Sequence, residues 1–328
     1  MPSPIASLKH AVKAVVATRP GFALSRRQRK PGCLVLLYHR VGLTTDPFPN
    51  LDVASFRAQM EWLVRTCNVI SPDQLRDRAN RDSRGSRPDV LVTFDDGYRD
   101  YYEHAYPVLR RLRIPAINFL STRFVDEPSL VSWSDRLYLA VNQTTKARAA
   151  LPWAPSQMFE LTAPGKAAFL RGSKDYIKHQ PELEKEATTE SILDALEVHA
   201  SSVRAPRQTM TWDEVRDASE LTSWGGHTHN HVIVSRLDLP QLEAEIRTCR
   251  DRIGAETGVA PDSFAYPNGR AIDFTDDAKG LLERYGFRTA FSTINGVNGI
   301  DTDWMEVRRI SGGASVNDLA WRMSRLQC

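Results

Sequence analysis

Residues 90–97 form the stretch Val-Leu-Val-Thr-Phe-Asp-Asp-Gly, which carries the clearest structural signal in the chain. Its first five residues are apolar or β-branched, which predicts a buried strand of a parallel sheet. Asp95 and Asp96 follow where that strand ends, and Gly97 lets the backbone turn sharply after them. Because adjacent carboxylates raise one another's pKa, the pair indicates a bound cation, although an ordinary solvated turn is also compatible with these letters.

The rest of the chain alternates short β-rich runs with amphipathic stretches, which is typical of βα units in an α/β protein. The predicted strands are 33–38, 90–94, 116–121, 223–226, 263–266 and 289–292, and the predicted helices are 55–66, 102–112, 239–254 and 276–285. The length of 328 residues fits one α/β barrel of about 250 residues with additions, or two smaller domains, and we favour one barrel. In such barrels the reactive groups collect after the strands, where the Asp pair lies.

Residues 126–208 interrupt this alternation. The segment is polar, and its pattern predicts helices at 134–141 and 181–201 and a loop at the three prolines between 152 and 164. No β-rich core is visible in it. We therefore interpret 126–208 as a helical insertion on the rim of a barrel that occupies residues 31–328.

The first 30 residues form a basic extension. They hold seven of the 43 basic residues and no acidic one, which leaves 36 basic against 40 acidic residues in a mildly acidic remainder. That balance argues against a nucleic-acid surface. Apolar residues at helical spacing predict a short amphipathic helix, for which three interpretations remain open. It packs on the barrel or is disordered, it docks on an anionic membrane or a partner, or it belongs to a targeting signal.

No apolar run approaches the roughly 18 residues of a membrane-spanning helix, and no signal peptide is evident. The four cysteines show neither a CxxC pair nor the spacing of a disulfide framework, which favours a reducing compartment. We therefore expect a cytoplasmic protein that can associate with a membrane surface through residues 1–30. The oligomeric state is left open.

A second string supplies imidazoles. Residues 227–231 read His-Thr-His-Asn-His and follow a Trp-Gly-Gly strand end. The spacing of four, on a helical face or in a compact turn, lets His227 and His231 converge on one ion, which His229 cannot easily join. Alone, the string is also compatible with an exposed cluster. Together with the Asp pair it leaves coordination positions open for water activation by Zn²⁺, Co²⁺, Ni²⁺ or Mn²⁺, which predicts a metal hydrolase.

The two strings resemble the first two motifs of the polysaccharide deacetylases, the NodB-homology family that is also family 4 of the carbohydrate esterases. The resemblance runs from Leu34 to Ile310 and implies a distorted (β/α)7 barrel, here with the helical insertion. It implies Asp95 as the catalytic base. It also implies Asp96, His227 and His231 as ligands of a divalent metal, with Zn²⁺ as the first candidate.

The third family motif is only partly matched. The string Phe-Ala-Tyr-Pro-Asn-Gly has its aromatic residue and proline at Tyr266 and Pro267, and the resemblance implies that the Tyr266 N–H contacts the oxyanion. The family's arginine that orients the base is missing, and Arg308 or Arg309 is a candidate to replace it. Trp304 belongs to a partial match to the fourth motif. Pro267, Trp304 and Arg309 are our candidate substrate-binding residues.

The family's usual general acid, a histidine in a late Leu-x-His string, is missing because no histidine follows His231. His39 ends the first predicted strand, and closing a barrel brings the first and last strands together. The chain therefore resembles the circularly permuted branch that is typified by poly-N-acetylglucosamine deacetylases. That resemblance implies His39 as the acid that protonates the leaving amine.

The resemblance implies a hydrolase of carbon–nitrogen bonds other than peptide bonds, which deacetylates an amino-sugar glycan or a lipid- or nucleotide-linked sugar. An O-deacetylase or deformylase of a sugar or lipid-linked sugar would use the same site, as would a related amidase. An inactive glycan-binding module would be expected to lack the base or a ligand, and all of these are present. Several tryptophans could stack on sugar rings, although tryptophan is more often a core residue.

Overall fold

The motif strand lies within a curled parallel sheet, between two other predicted strands. The computed structural model describes residues 4–25, 31–43, 48–81, 87–203 and 207–325. The chain forms two compact units. The first consists of Met1–Thr44, Asn50–Asp126 and Thr209–Cys328, and the second of Thr45–Pro49 and Glu127–Gln208.

The strands are β1 Cys33–Tyr38, β2 Val41–Gly42, β3 Leu51–Asp52, β4 Asn68–Val69, β5 Asp89–Asp95, β6 Ala116–Leu120, β7 Arg148–Leu151, β8 Ala154–Glu160, β9 Thr222–Gly226, β10 Ser263–Ala265, β11 Thr289–Phe291 and β12 Ile310–Ser311. The helices are α1 Pro4–Ala17, α2 Arg19–Ser25, α3 Val53–Thr66, α4 Leu75–Ala79, α5 Tyr106–Leu112, α6 Thr122–Asp126, α7 Trp133–Gln143, α8 Ala163–His179, α9 Lys185–Ala195, α10 Trp212–Asp217, α11 Leu239–Thr257, α12 Asp276–Arg284 and α13 Val316–Arg325. A π-helical turn at Tyr101–Ala105 precedes α5. The second unit contains β7, β8, α7, α8 and α9.

The main sheet of the first unit has the strand order β11-β10-β9-β6-β5-β1-β12, and β4 pairs with β5. Every one of these pairs is parallel. All six predicted strands are present. β12, which was not among the predicted strands, lies beside β1 with Leu36 opposite Ile310, whereas the last predicted strand, 289–292, is β11 at the other edge of this order.

Successive residues of each strand face opposite sides of this sheet. Leu34 and Val92 pack with the surrounding helices, whereas Val35 and Leu91 belong to a separate inner cluster. Every residue of β5 is buried, which explains why its residues 90–94 are all apolar or β-branched and do not alternate with charged ones. By the same alternation Asp95 lies on the inner side with Leu91, at the carboxyl end of the strand.

The predicted helices of the first unit are all present, with boundaries set by local chemistry. α11 starts with a capping box, in which the Gln241 N–H donates to Asp238 Oδ1 at 2.9 Å. Pro240 occupies its first turn, and Gly258, with a φ of 78°, ends it in the left-handed conformation.

The second unit has an apolar core of its own. Residues of α7, α8 and α9 pack there with the β7–β8 hairpin, among them Leu137, Phe169 and Ile192. The predicted helices correspond to α7 and α9, but the prediction of a loop around Pro164 was wrong. Pro164 lies in the first turn of α8, where a backbone N–H is not needed. The hairpin was not predicted, and the position of this insertion on a barrel rim stays a prediction.

Residues 4–25 of the N-terminal extension pack against the rest of the first unit, which confirms the first of the three interpretations for these residues. α1 and α2 contact α13, Lys13 Nζ lies 2.6 Å from Asp318 Oδ1, and Trp62 Nε1 donates to the Ala17 carbonyl at 2.7 Å. Among the helices in the described part of the chain, none is both long and apolar enough to cross a membrane. The basic residues between 26 and 30 lie outside the described residues. Membrane-surface association and a cytoplasmic location therefore stay predictions.

Phe22 anchors this extension. Its side chain is 1% exposed, and its ring lies edge-on to Trp62 with 4.8 Å between the ring centroids. Phe22→Ala is expected to lower the free energy of unfolding by about 3–5 kcal/mol, because it removes buried apolar area and leaves a cavity. Leu24→Ala is the matched control, since Leu24 is 64% exposed, and should change it by less than about 0.5 kcal/mol. Equal urea midpoints for both variants would contradict the packing of α2.

Candidate active site

Two acidic residues lie at the carboxyl end of β5. Asp95 is the last residue of the strand, and Asp96 begins the turn that follows. The φ angles of Asp96 and Gly97 are 77° and 70°, both in the left-handed region. Glycine adopts this conformation at position 97 without steric cost. Asp96 lacks that freedom, and strained residues of this kind, at about 1–3 kcal/mol each, cluster at functional sites.

The histidine string follows β9. Gly225 in that strand leaves room for Phe119, because a Cβ at 225 would lie 2.3 Å from the ring. After His227 the backbone turns twice into the left-handed region, with φ of 59° at Thr228 and 57° at His231. Of the two arrangements that a spacing of four allows, the structure therefore has the compact turn and not the helix.

Asp96, His227 and His231 converge at one point. Asp96 Oδ1 lies 3.3 Å from His227 Nε2 and 3.1 Å from His231 Nε2, and one ligand atom from each residue lies within 4.8 Å of the other two. The Nδ1 atom of His227 lies 2.6 Å from the Ala265 carbonyl. Because a carbonyl only accepts, Nδ1 carries a proton, and Nε2 is the ring nitrogen that faces Asp96. The predicted convergence of these residues is confirmed.

The environment of Asp96 fits a cation. Its Oδ1 atom is buried and has no hydrogen-bond partner among the described residues, although two imidazole nitrogens lie near it. An orphaned buried carboxylate oxygen is costly, and a divalent ion would satisfy it together with both imidazoles. Burial would raise the pKa of Asp96, but the charge of His231 and contacts with both imidazoles hold this pKa well below its usual value. One carboxylate and two imidazoles form a ligand set that suits Zn²⁺ and related ions.

Arg309 holds Asp95 on the inner side of the sheet. Its Nη1 and Nη2 atoms donate to Asp95 Oδ1 and Oδ2 at 2.7 and 2.9 Å. Nε donates to the Ser292 carbonyl at 2.8 Å, and Nη1 also donates to Thr93 Oγ1 at 3.3 Å. The side chains of Arg309 and Asp95 are 0% and 3% exposed. Burial would raise the pKa of Asp95, but the Arg309 guanidinium and then His227 outweigh it and keep this pKa below its usual value.

Arg309, and not Arg308, is therefore the arginine that contacts the predicted base. The Arg308 side chain packs instead against Gly296, where a Cβ would lie 2.3 Å from Arg308 Cδ. With no exposed side-chain surface, Arg309 offers nothing for a substrate to contact. Its prediction as a substrate-binding residue is replaced by the ion pair with Asp95.

Replacing Arg309 would leave a buried carboxylate without its partner. Arg309→Met is expected to lower the free energy of unfolding by about 3–5 kcal/mol. The pKa of Asp95 should rise, because the cation that favours its ionised form is gone. As the pH is lowered, Asp95 is then protonated earlier, and the fall of kcat/KM on the acid side (the acid limb) begins at a higher pH. Arg309→Lys is the matched control, because it retains the charge but not the two-pronged geometry, and its limb should move less. Equal acid limbs in parent and Met variant would contradict this role.

The predicted oxyanion contact of the Tyr266 N–H is wrong. This N–H donates to the Phe291 carbonyl at 3.0 Å, where β10 meets β11, and the Tyr266 hydroxyl donates to the Met305 carbonyl at 2.9 Å. Pro267 has no N–H to offer. Asn268 comes next, with a φ of 64°, and its backbone N–H has no acceptor among the described residues, while its buried Nδ2 is also unpartnered. The sequence signal that was missed is the proline, which leaves the following residue as the first free donor.

Trp304 lies far from the carboxyl ends of the strands. The Arg76 guanidinium lies over its ring, 4.9 Å from the centroid, and Arg76 also donates to the carbonyl of Arg288, which directly precedes β11. Trp304 therefore lies near the amino end of the sheet, opposite the end that carries Asp95, and its predicted substrate contact is wrong. Pro267 is buried in the loop after β10, and its substrate role stays a prediction.

His39 directly follows β1 and is exposed. Tyr38 pairs with Phe94 in the neighbouring strand. His39 follows Tyr38 and Asp95 follows Phe94, so the two residues lie at the same end of adjacent strands. Burial would raise the pKa values of Asp95 and Asp96, and nearby cationic groups lower them. His39 is one of these groups, and its contribution is smaller than that of Arg309 at Asp95 or of His231 at Asp96. His39 thus belongs to the same end of the sheet as the converging triad.

Comparison with known sequences gives a consistent result. A family model described as polysaccharide deacetylase matches residues 82–162 and 185–290. YxkH of Bacillus subtilis (strain 168), a provisionally named polysaccharide deacetylase, is 32% identical over 96 residues, which is 29% of this chain and 34% of that protein. The poly-beta-1,6-N-acetyl-D-glucosamine N-deacetylase of Escherichia coli (strain K12) is 28% identical over 105 residues, which is 30% of this chain and 15% of that protein. The matches therefore span a minor part of the length of either curated relative.

Solved structures extend the comparison to the whole fold. The Streptococcus pyogenes deacetylase PplD has a TM-score of 0.60 at 15% identity and covers 90% of this chain and 99% of its own. IcaB from Ammonifex degensii has a TM-score of 0.55 at 18% identity and covers 89% of this chain and 98% of its own. At such identities the likeness concerns the fold alone, and it confirms the predicted distorted barrel.

Proposed function

Because this chain belongs to the polysaccharide deacetylase family, we propose that it is a metal-dependent deacetylase. Its substrate would be the N-acetyl group of an amino-sugar glycan, or of a lipid- or nucleotide-linked sugar precursor. The observation that carries the proposal is that an arginine-held carboxylate, Asp95, directly precedes a member of the converging group Asp96, His227 and His231. The named substrate of the Escherichia coli relative supports an N-acetylglucosamine polymer as the substrate class.

Asp96, His227 and His231 would hold the metal, with Zn²⁺ as the first candidate and Co²⁺, Ni²⁺ or Mn²⁺ as the others. Such an ion, when bound, polarises the carbonyl of the substrate and lowers the pKa of water. The protein's own contribution to the site includes the hydrogen bond from His227 Nδ1 to the Ala265 carbonyl, which fixes the tautomer and orientation of the ring.

The other residues move protons and stabilise charge. Asp95, kept ionised by Arg309, accepts a proton from the water that attacks the acyl carbon. We assign the contact with the acyl oxygen to the Asn268 N–H, and such donors are worth several kcal/mol of the barrier. His39 donates a proton to the amine as the carbon–nitrogen bond breaks. Acetate and a free amino sugar are the products.

The test is acetate release from N-acetylglucosamine oligomers by the Zn²⁺-loaded protein, with the liberated amine counted in parallel. The expected result is one amine for each acetate. Acetate from O-acetylated but not N-acetylated sugars would instead identify an O-deacetylase, and formate from N-formyl sugars a deformylase. Glycan binding without any product would identify an inactive binding module and refute the proposal.

A further inference from the structure

The segment after β1 is tied down on both sides of His39. Before it, the Tyr38 hydroxyl donates to Gln59 Oε1 at 2.8 Å. After it, the Leu51 N–H donates to the Arg40 carbonyl at 3.1 Å, as β2 begins to pair with β3. His39 is thus an exposed side chain on an otherwise restrained backbone.

Arg40 makes the contacts that join this segment to the loop after β5. Its guanidinium carbon lies 3.5 Å from the centroid of the Tyr98 ring, and Nη1 lies 3.6 Å from Asp100 Oδ2. The Val41 N–H donates to the other oxygen of Asp100 at 3.4 Å. The side chains of Arg40 and Asp100 are only 11% and 15% exposed, so solvent screens this ion pair less than an ordinary surface pair.

These contacts connect two loops that carry different parts of the site. Tyr98 and Asp100 lie two and four residues after Asp96, and Arg40 is the residue directly after His39. A general acid is effective only when it is held within hydrogen-bonding reach of the atom that it protonates, and a displacement of 1 Å can cost up to about a hundredfold in rate. A connection between the two loops would fix that distance.

We propose that Arg40 is a positioning residue for this reaction, which sets the place of His39 relative to Asp95 and Asp96 through its contacts with Tyr98 and Asp100. The inference rests on the proposed function, in which His39 protonates the leaving amine. Arginine suits the task because one planar guanidinium stacks on an aromatic ring and pairs with a carboxylate at the same time. A lysine at position 40 would retain the charge without the stacking geometry.

The experiment compares two leaving groups. The amine of an N-acetylglucosamine oligomer must be protonated as it departs, whereas the phenolate of 4-nitrophenyl acetate leaves without a proton, so the ratio of amide to ester hydrolysis reports on the general acid. His39→Ala should lower this ratio by about a hundredfold or more. Arg40→Ala should lower it by about tenfold, and Arg40→Lys by less.

A double-mutant cycle separates positioning from general damage. If Arg40 acts through His39, the variant that combines His39→Ala with Arg40→Ala should have the ratio of His39→Ala alone, within about threefold. Arg99→Ala is the matched control, because Arg99 lies between Tyr98 and Asp100 but pairs with Glu103, and its ratio should not change. Metal content and melting temperature are measured for each variant, and Arg40→Lys serves if Arg40→Ala does not fold.

Each other outcome has a distinct meaning. An amide-to-ester ratio that stays at the parent value in both Arg40 variants, or additive effects in the double mutant, would overturn the positioning role. A loss of amide and ester hydrolysis by the same factor would also overturn the positioning role, because it leaves the ratio unchanged and indicates a purely structural contribution. A parent-like ratio in His39→Ala would refute the assigned acid, and failure of the parent protein to release acetate from the oligomer would refute the proposed function itself.

Discussion

Asp95→Asn is expected to lower kcat for acetate release by about 10²–10⁴-fold, which is the contribution of a well-placed general base. The amide has nearly the shape of the carboxylate but cannot accept the proton of the attacking water. Arg309 donates to both Asp95 oxygens, and the amide can accept at only one of them. The variant should therefore also lose about 3–5 kcal/mol of stability, and initial rates are measured well below its melting temperature.

Metal analysis separates this effect from damage to the metal site. Asp95 is not a member of the converging group, so the metal content of Asp95→Asn should match that of the parent protein. A variant that keeps its metal and turns over within about threefold of the parent would refute Asp95 as the base, because a general base is worth far more than that.

Loss of a metal ligand is expected to have an effect of similar size. His231→Ala should lower both metal content and turnover, the latter by about a thousandfold or more, because a bound cation contributes several kcal/mol of charge stabilisation to the transition state. Chelation should lower the metal content and turnover of the parent protein in the same way. Turnover should recover when Zn²⁺, Co²⁺, Ni²⁺ or Mn²⁺ is added. The ion that restores the highest rate at one equivalent identifies the preferred metal.

His229→Ala is the matched control for this prediction. His229 belongs to the same string, but its Nδ1 lies 2.8 Å from Thr122 Oγ1, and it is not a member of the converging group. Metal stoichiometry should therefore stay at the parent value in His229→Ala. If this variant lost metal as completely as His231→Ala, the ligand set would be incorrect.

Much of the first unit could be predicted because the relevant signals are local. All six predicted strands are present, since a buried parallel strand is a short apolar run whatever its neighbours are. β12, which pairs with β1, was not predicted, because a strand of two residues is too short to give a recognisable β pattern. The second unit was predicted less well, because Pro164 was interpreted as a loop residue although proline is also favoured in the first turn of a helix.

The errors at the site have a common origin. The sequence string placed the oxyanion donor at Tyr266, but its N–H is engaged by Phe291, a residue of the next strand. Trp304 matched a motif fragment, but it lies beside Arg76 near the other end of the sheet. In both cases the answer depended on a partner that is distant in the chain, and no local pattern identifies it.

The class of the fold, six of the strands and the convergence of Asp96, His227 and His231 could be predicted from the amino-acid sequence. These follow from burial periodicity and from ligand spacing within short strings, which are properties of neighbouring residues. Three assignments required the folded structure: Arg309 holds Asp95, the Asn268 N–H has no acceptor within the part of the chain that the structure describes, and Arg40 joins the loop of His39 to that of Asp96. Those assignments depend on directions and distances between side chains on different strands, which exist only after the sheet has curled and brought its carboxyl ends together.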